Sequence, residues 1–138
     1  MNGVFVDTSG WANLFVKSEP FHKSSVSLIH KIQRERRRIV TSNYVLAEFS
    51  ALLMSPLRVR SDIRLTLLDR IRTASWVEIR HVDESHDSAS WDYLLSLRDK
   101  DFSLVDCSSF VMMQRQGLRE ALTTDGHFEQ AGFIRLLT

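Results

Sequence analysis

The chain has 138 residues and a formal net charge of +1, with 43% of its residues hydrophobic and 25% charged. Five glycines, two prolines and a single cysteine exclude a collagen-like repeat, a disordered linker and a disulfide-stapled miniature. No apolar run reaches the roughly 18 residues of a membrane span, and Met1-Asn2-Gly3-Val4 lacks the basic flank and apolar stretch of a signal peptide, so one domain over residues 1–138 in a reducing cytoplasm is expected.

Val4-Phe5-Val6 predicts a strand, ended by Asp7-Thr8-Ser9-Gly10 with the residue types of a turn or helix cap. From His22 to Gln33, Val26, Ile29 and Ile32 fall on one helical face, and Ile39-Val40-Thr41 predicts a second strand. Ser42 stands as cap for a helix through Tyr44, Val45, Leu46, Phe49, Leu52 and Leu53, which Pro56 must end. Ser61 to Thr73 predicts an amphipathic helix resting on Ile63, Leu67, Leu68 and Ile71, and Trp76 to Val82 alternates like a strand. Asp83 to Leu97 is expected to be helical with Trp91, Leu94 and Leu95 turned inward. Leu104 to Gln116 predicts a further helix with Gly117 as its left-handed stop. Ala121-Leu122-Thr123 predicts a strand leading into Asp125-Gly126, His127 to Ala131 a helical turn, and Phe133 to Leu137 a last strand. Strands separated by helices pair in parallel through right-handed crossovers, so the expected fold is a three-layer α/β domain.

In such sheets ligands gather at the carboxyl ends of the strands. Asp7 and Asp125 each follow a predicted strand, Asp106 lies in the first turn of the helix from Leu104, and Glu48 lies one turn into the helix after Ser42. Singly, each aspartate has an ordinary structural reading. Asp7 caps a helix, Ser103 to Asp106 forms a capping box, and Asp125-Gly126 makes a turn. Glu48 amid Val45, Leu46, Ala47 and Phe49 is harder to dismiss, because a carboxylate on an apolar stretch is costly to bury unpaired. Were the four to converge, their mutual repulsion would call for a cation, and all-oxygen ligands favour Mg²⁺ or Mn²⁺ over zinc. Such a centre suits in-line attack on a phosphodiester.

The spaced set Val6-Asp7-Thr8-Ser9, Thr41 to Glu48, Phe102 to Phe110 and Thr123 to Phe128, closed by Asp125-Gly126-His127-Phe128-Glu129-Gln130-Ala131-Gly132-Phe133, resembles the PIN domain family, and within it the VapC ribonuclease toxins. The resemblance runs from Val4 to about Phe133. It implies a PIN-like α/β/α sandwich with a mostly parallel sheet, usually homodimeric, and an Mg²⁺- or Mn²⁺-dependent endoribonuclease cutting transfer or ribosomal RNA loops. It places the catalytic and metal-binding quartet on Asp7, Glu48, Asp106 and Asp125, with a supporting hydroxyl on Thr8 or Ser9. It also implies a VapB-type antitoxin partner that covers the cleft with a basic side chain. Asp101 is a rival acidic residue expected just outside the metal site.

The charge is unevenly spread: residues 31–80 carry a surplus of +6 and residues 81–138 a deficit of −5. Arg34, Arg36, Arg37 and Arg38 either lead an RNA backbone toward the cleft or form a solvated helix end. Arg58, Arg60, Arg64, Arg70 and Arg72 lie in the segment that, by the resemblance, shapes substrate or partner contact. His127 either touches substrate or has a surface or capping role; Trp11, Trp76 and Trp91 are expected as core or interface anchors, and Cys107 as a packed thiol. Two rivals stay open: a catalytically inactive PIN-like module that binds RNA or protein, and a phosphotransfer enzyme, either a receiver-type phosphoacceptor or an aspartate-nucleophile phosphatase, for which last Asp7-Thr8-Ser9 lacks the second aspartate.

Overall fold

The computed structural model describes residues 3–138. Its elements in chain order are β1 (Gly3–Val6), α1 (Thr8–Phe15), α2 (His22–Arg34), β2 (Arg38–Ser42), α3 (Asn43–Met54), α4 (Ser61–Thr73), β3 (Glu78–Arg80), α5 (Glu84–Ser96), α6 (Leu104–Gln116), β4 (Glu120–Leu122), α7 (His127–Gln130) and β5 (Ile134–Arg135). The five strands form one sheet in the order β3-β2-β1-β4-β5, and every neighbouring pair is parallel. The sheet expected to be mostly parallel is therefore parallel throughout the described residues.

β1 is the central strand and buried along its length, as a β-branched and aromatic run covered on both faces must be. α1 packs on α2 and α3, α3 on α4 and α6, and α5 on α6. Trp11, Phe5, Phe49, Phe110, Phe128 and Met113 are the large side chains fully enclosed between these layers. Among the described residues, no helix is long and apolar enough to cross a membrane.

Local sequence signals explain most element ends. The Ser42 hydroxyl accepts a hydrogen bond from Val45 N at 3.1 Å and starts α3, and the chain leaves α3 at Ser55, before Pro56. Gly117, at φ +68, ends α6 in a Schellman turn, with Gly117 N donating to Gln114 O and Leu118 N to Met113 O. The same turn ends α2, through Arg36 N to Gln33 O and Arg37 N to Ile32 O, but its left-handed residue is Arg36 at φ +56.

Of the turn or helix cap expected at Asp7-Thr8-Ser9-Gly10, the structure takes the cap, with Asp7 at the N-cap position of α1, and Gly10 makes the helix possible. A Cβ on Gly10 would lie 2.1 Å from the Leu122 carbonyl oxygen, so only glycine lets α1 sit this close to β4. Trp91 and Leu95 do not face inward; they are 45% and 49% exposed. α5 instead buries His86 and Ser90, with Tyr93 and Leu94 packed against the core. His86 Nε2 bonds the Ser108 carbonyl at 2.8 Å, so α5 meets α6 through a small and a polar side chain that a search for apolar residues passes over. Ile63, 46% exposed, likewise lies off the buried face of α4, whose one fully enclosed residue is Ile71. β3 and β5 are shorter than their apolar runs, and Leu137 is buried beyond the last ladder pair.

Candidate active site

β1 and β4 are neighbours in the sheet, so the loops leaving their carboxyl ends meet: Asp7 N donates to Leu122 O at 3.2 Å. Beyond these ends opens a cleft of about 580 Å³ lined by Asp7, Thr8, Ser9, Glu48 and Asp125, with Leu52 on its apolar side. Asp7 is its buried floor, 5% exposed. It occupies the N-cap position of α1 but makes no side-chain capping bond there. Burial pushes its carboxyl up to about 7, the Thr8 backbone and the Thr123 hydroxyl pull the other way, and the charges of Asp106 and Glu48 raise it further.

A small hydroxyl network fixes this floor. The Thr123 hydroxyl donates to Asp7 Oδ2 at 3.0 Å and accepts Asp125 N at 3.0 Å. With its one proton committed to Asp7, Thr123 must accept from the Ser9 hydroxyl, 3.1 Å away, and Ser9 in turn accepts Thr124 N at 3.0 Å. Thr123 is a buried site residue that the sequence does not announce, because a threonine after a strand carries no signal of its own. Thr123→Val keeps the shape and removes the donor; it is expected to cost about 1–3 kcal/mol in denaturant unfolding, the value for leaving a buried polar group unpaired.

Glu48 is exposed on the rim of the cleft, so the predicted cost of burying it does not arise; the Thr8 hydroxyl donates to its Oε1 at 2.5 Å. Asp106 is both cap and site residue. Ser103 N donates to its Oδ2 and Asp106 N to the Ser103 hydroxyl, completing the capping box, while His127 Nδ1 lies 3.0 Å from the same Oδ2. His127 Nδ1 also lies 3.4 Å from Asp125 Oδ1. Asp106, Asp125 and His127 thus present ligand atoms all within 4.8 Å of one another. Burial alone would lower the His127 imidazole, but its hydrogen bond to Asp106 and the charges of Asp125, Asp106 and Asp101 outweigh it and raise its pKa.

Asp101 and Asp99 are exposed and outside this cluster. Cys107 is buried, and burial with the Asp106 charge pushes its thiol up to about 11, which leaves no thiolate for nucleophilic chemistry.

The arginines of residues 34–38 do not border the cleft. Arg38 begins β2 opposite Gly3, the start of β1, whereas the carboxylates lie beyond the strands' other ends. Arg37 is ion-paired with Glu120 and Glu35, and Arg38 with Glu78. Sequence proximity to a strand said nothing about which end of that strand they flank.

A PIN domain model matches residues 4–134, and the chain belongs to the PIN domain family. It is 30% identical over 133 residues to the 23S rRNA-specific endonuclease VapC20 of Mycobacterium tuberculosis strains CDC 1551 and H37Rv, covering 96% of this chain and 97% of the relative. The crystal structure of that VapC20, described as a Sarcin-Ricin loop cleaving toxin, superposes with a TM-score of 0.82 at 28% identity over 96% of this chain and 97% of that one. FitAcB from Neisseria gonorrhoeae shares the fold, with a TM-score of 0.66 at 15% identity over 98% and 95% of the two chains.

Proposed function

We propose that the chain is a divalent-metal-dependent endoribonuclease, the toxin of a VapBC-type toxin–antitoxin pair, acting as a single PIN domain over residues 1–138. The observation that carries the reading is Asp7, a carboxylate buried at the cleft floor, its pKa pushed up to about 7 by burial and by the charges of Asp106 and Glu48. A site that concentrates acidic groups against their own repulsion fits a cation, and the oxygen-rich donor set fits a hard one, Mg²⁺ or Mn²⁺. Membership of the PIN family and 30% identity to an rRNA endonuclease support RNA as the polymer cut, with ribosomal RNA the first substrate to test.

Asp7, Glu48, Asp106 and Asp125 would hold the ion, which supplies Lewis-acid charge at the scissile phosphate and lowers the pKa of water. Thr123 and Ser9 orient Asp7 and the backbone before Asp125, and Thr8 steadies Glu48. His127 bridges Asp106 and Asp125. Arg58, exposed three residues past Ser55 on the cleft wall, is the nearest arginine in sequence to lead RNA into the site. The acidity of the cleft also supports a VapB-type antitoxin that inserts an arginine or lysine there. A homodimer in the cytoplasm completes the reading.

The test is incubation of purified protein with total RNA in Mn²⁺, in Mg²⁺ and in EDTA. Discrete fragments with metal and none with EDTA are expected. Cleavage that persists in EDTA and in an Asp7→Asn variant would overturn the reading.

A further inference from the structure

At the opposite end of the sheet a second cavity, about 420 Å³, is walled by Arg36, Arg37, Arg38, Trp76 and Glu78. Its one carboxylate is already engaged: Arg38 contacts both Glu78 oxygens at 3.0 and 2.7 Å, and Arg80 adds a third contact at 3.0 Å. Arg37 is held by Glu120 and Glu35. Arg36 is exposed and has no ion pair among the described residues.

The backbone of Arg36 makes its identity informative. It is one of two non-glycine residues with positive φ among the described residues, and the other, Arg58, is also an exposed arginine. A side chain in the left-handed region is strained by its Cβ. The turn that places Arg36 there is made by backbone groups alone, and the same turn at the end of α6 uses Gly117. Glycine at position 36 would therefore complete the turn with less strain. Nor does the end of α2 need another cation for its dipole, since Lys31 and Arg34 already stand in its last turn. What the arginine contributes lies outside the helix end, in the cavity it borders.

We propose that this cavity is a second RNA-backbone site, with Arg36 taking a phosphate and the half-buried Trp76 offering an indole wall to a base or ribose. Arginine beside an aromatic surface is the arrangement by which proteins hold RNA without reading its sequence. The inference rests on the nuclease reading and narrows its substrate. Gly3, which starts β1, and Asp7, the residue after the strand, are about 13 Å apart at ~3.3 Å per residue. An RNA touching both sites must span at least that distance, which a dinucleotide with its single phosphodiester does not.

The test compares binding of 23S rRNA, over a range of salt, by the Asp7→Asn protein and by the same protein with Arg36→Gly or Arg36→Lys. Arg36→Gly is expected to weaken binding about three- to tenfold at ~0.1 M salt and to reduce the slope of log K against log salt by roughly 0.7–0.9, the signature of one lost phosphate contact. Its melting temperature should equal or exceed that of its parent, and Arg36→Lys should retain most of the affinity. Affinity and slope unchanged by Arg36→Gly, in a protein that binds RNA and whose unsubstituted form cuts it, would overturn this site alone. An unsubstituted protein that neither binds nor cuts RNA would overturn the nuclease reading with it.

Discussion

Asp7→Asn is expected to slow RNA cleavage at least about a thousandfold while raising the melting temperature of the metal-free protein at pH 8. The two effects share one cause. Folding brings the Asp7 carboxyl from 3.8 to about 7, because burial, reinforced by Asp106 and Glu48, disfavours its charge. A raised carboxyl pKa means that the folded state binds more protons than the unfolded chain between these values, so stability falls as pH rises from about 4 to 7 and the full penalty persists above it. At ~1.4 kcal/mol per unit the ceiling is about 4 kcal/mol; with the Thr123 hydrogen bond kept by the amide oxygen, a gain of roughly 1–3 kcal/mol is expected. Thermal melts in EDTA at pH 5 and pH 8 check this. The variant's advantage should be large at pH 8 and shrink toward pH 5. An advantage equal at both pH values would mean that Asp7 carries no such strain. Adding Mn²⁺ should stabilise the unsubstituted protein more than the variant, by binding linkage.

Gly10→Ala is expected to be the most damaging single-methyl change in the protein. The added Cβ meets the Leu122 carbonyl oxygen at 2.1 Å and Leu122 C at 3.0 Å, which are backbone atoms of a buried strand that cannot rotate aside. Overpacking a core typically costs about 1–3 kcal/mol when side chains can adjust; here α1 itself must shift, and a loss of at least about 3 kcal/mol in urea unfolding is expected. α1 carries Thr8 and Ser9, so any variant that folds should also lose cleavage through displaced contacts to Glu48 and Thr124. Normal stability and activity would show that α1 can move away from β4 at no cost.

Those two residues also mark how far the sequence could be read. Asp7 was legible, since a carboxylate directly after an apolar β-branched run must sit at a strand's carboxyl end. Gly10 was not, because the need for glycine comes from a strand more than a hundred residues away. The element ends set by Ser42, Pro56 and Gly117 were legible for the same local reason: one residue's chemistry fixes each. The end of α2 was not, since Arg36 holds a conformation that usually announces itself as glycine. The outward turn of Trp91 and Leu95 is not legible from their hydrophobicity, because α5 approaches α6 through Ser90 and a hydrogen-bonded His86. Thr123 and the bridge from His127 depend on strand order, which brings β4 beside β1 and which composition does not reveal.

That strand order has a consequence for synthesis. β1 is made first but is flanked by β4, and the hydrogen bond that holds Asp7 comes from a residue 116 positions later. Contacts so distant form late, after the cost of closing the intervening chain has been met. A growing chain that has exposed β1, β2, β3 and six of the seven helices of the described residues still lacks Thr123, Asp125 and His127. A ribosome making this protein therefore carries an incomplete carboxylate site until almost the last strand is translated.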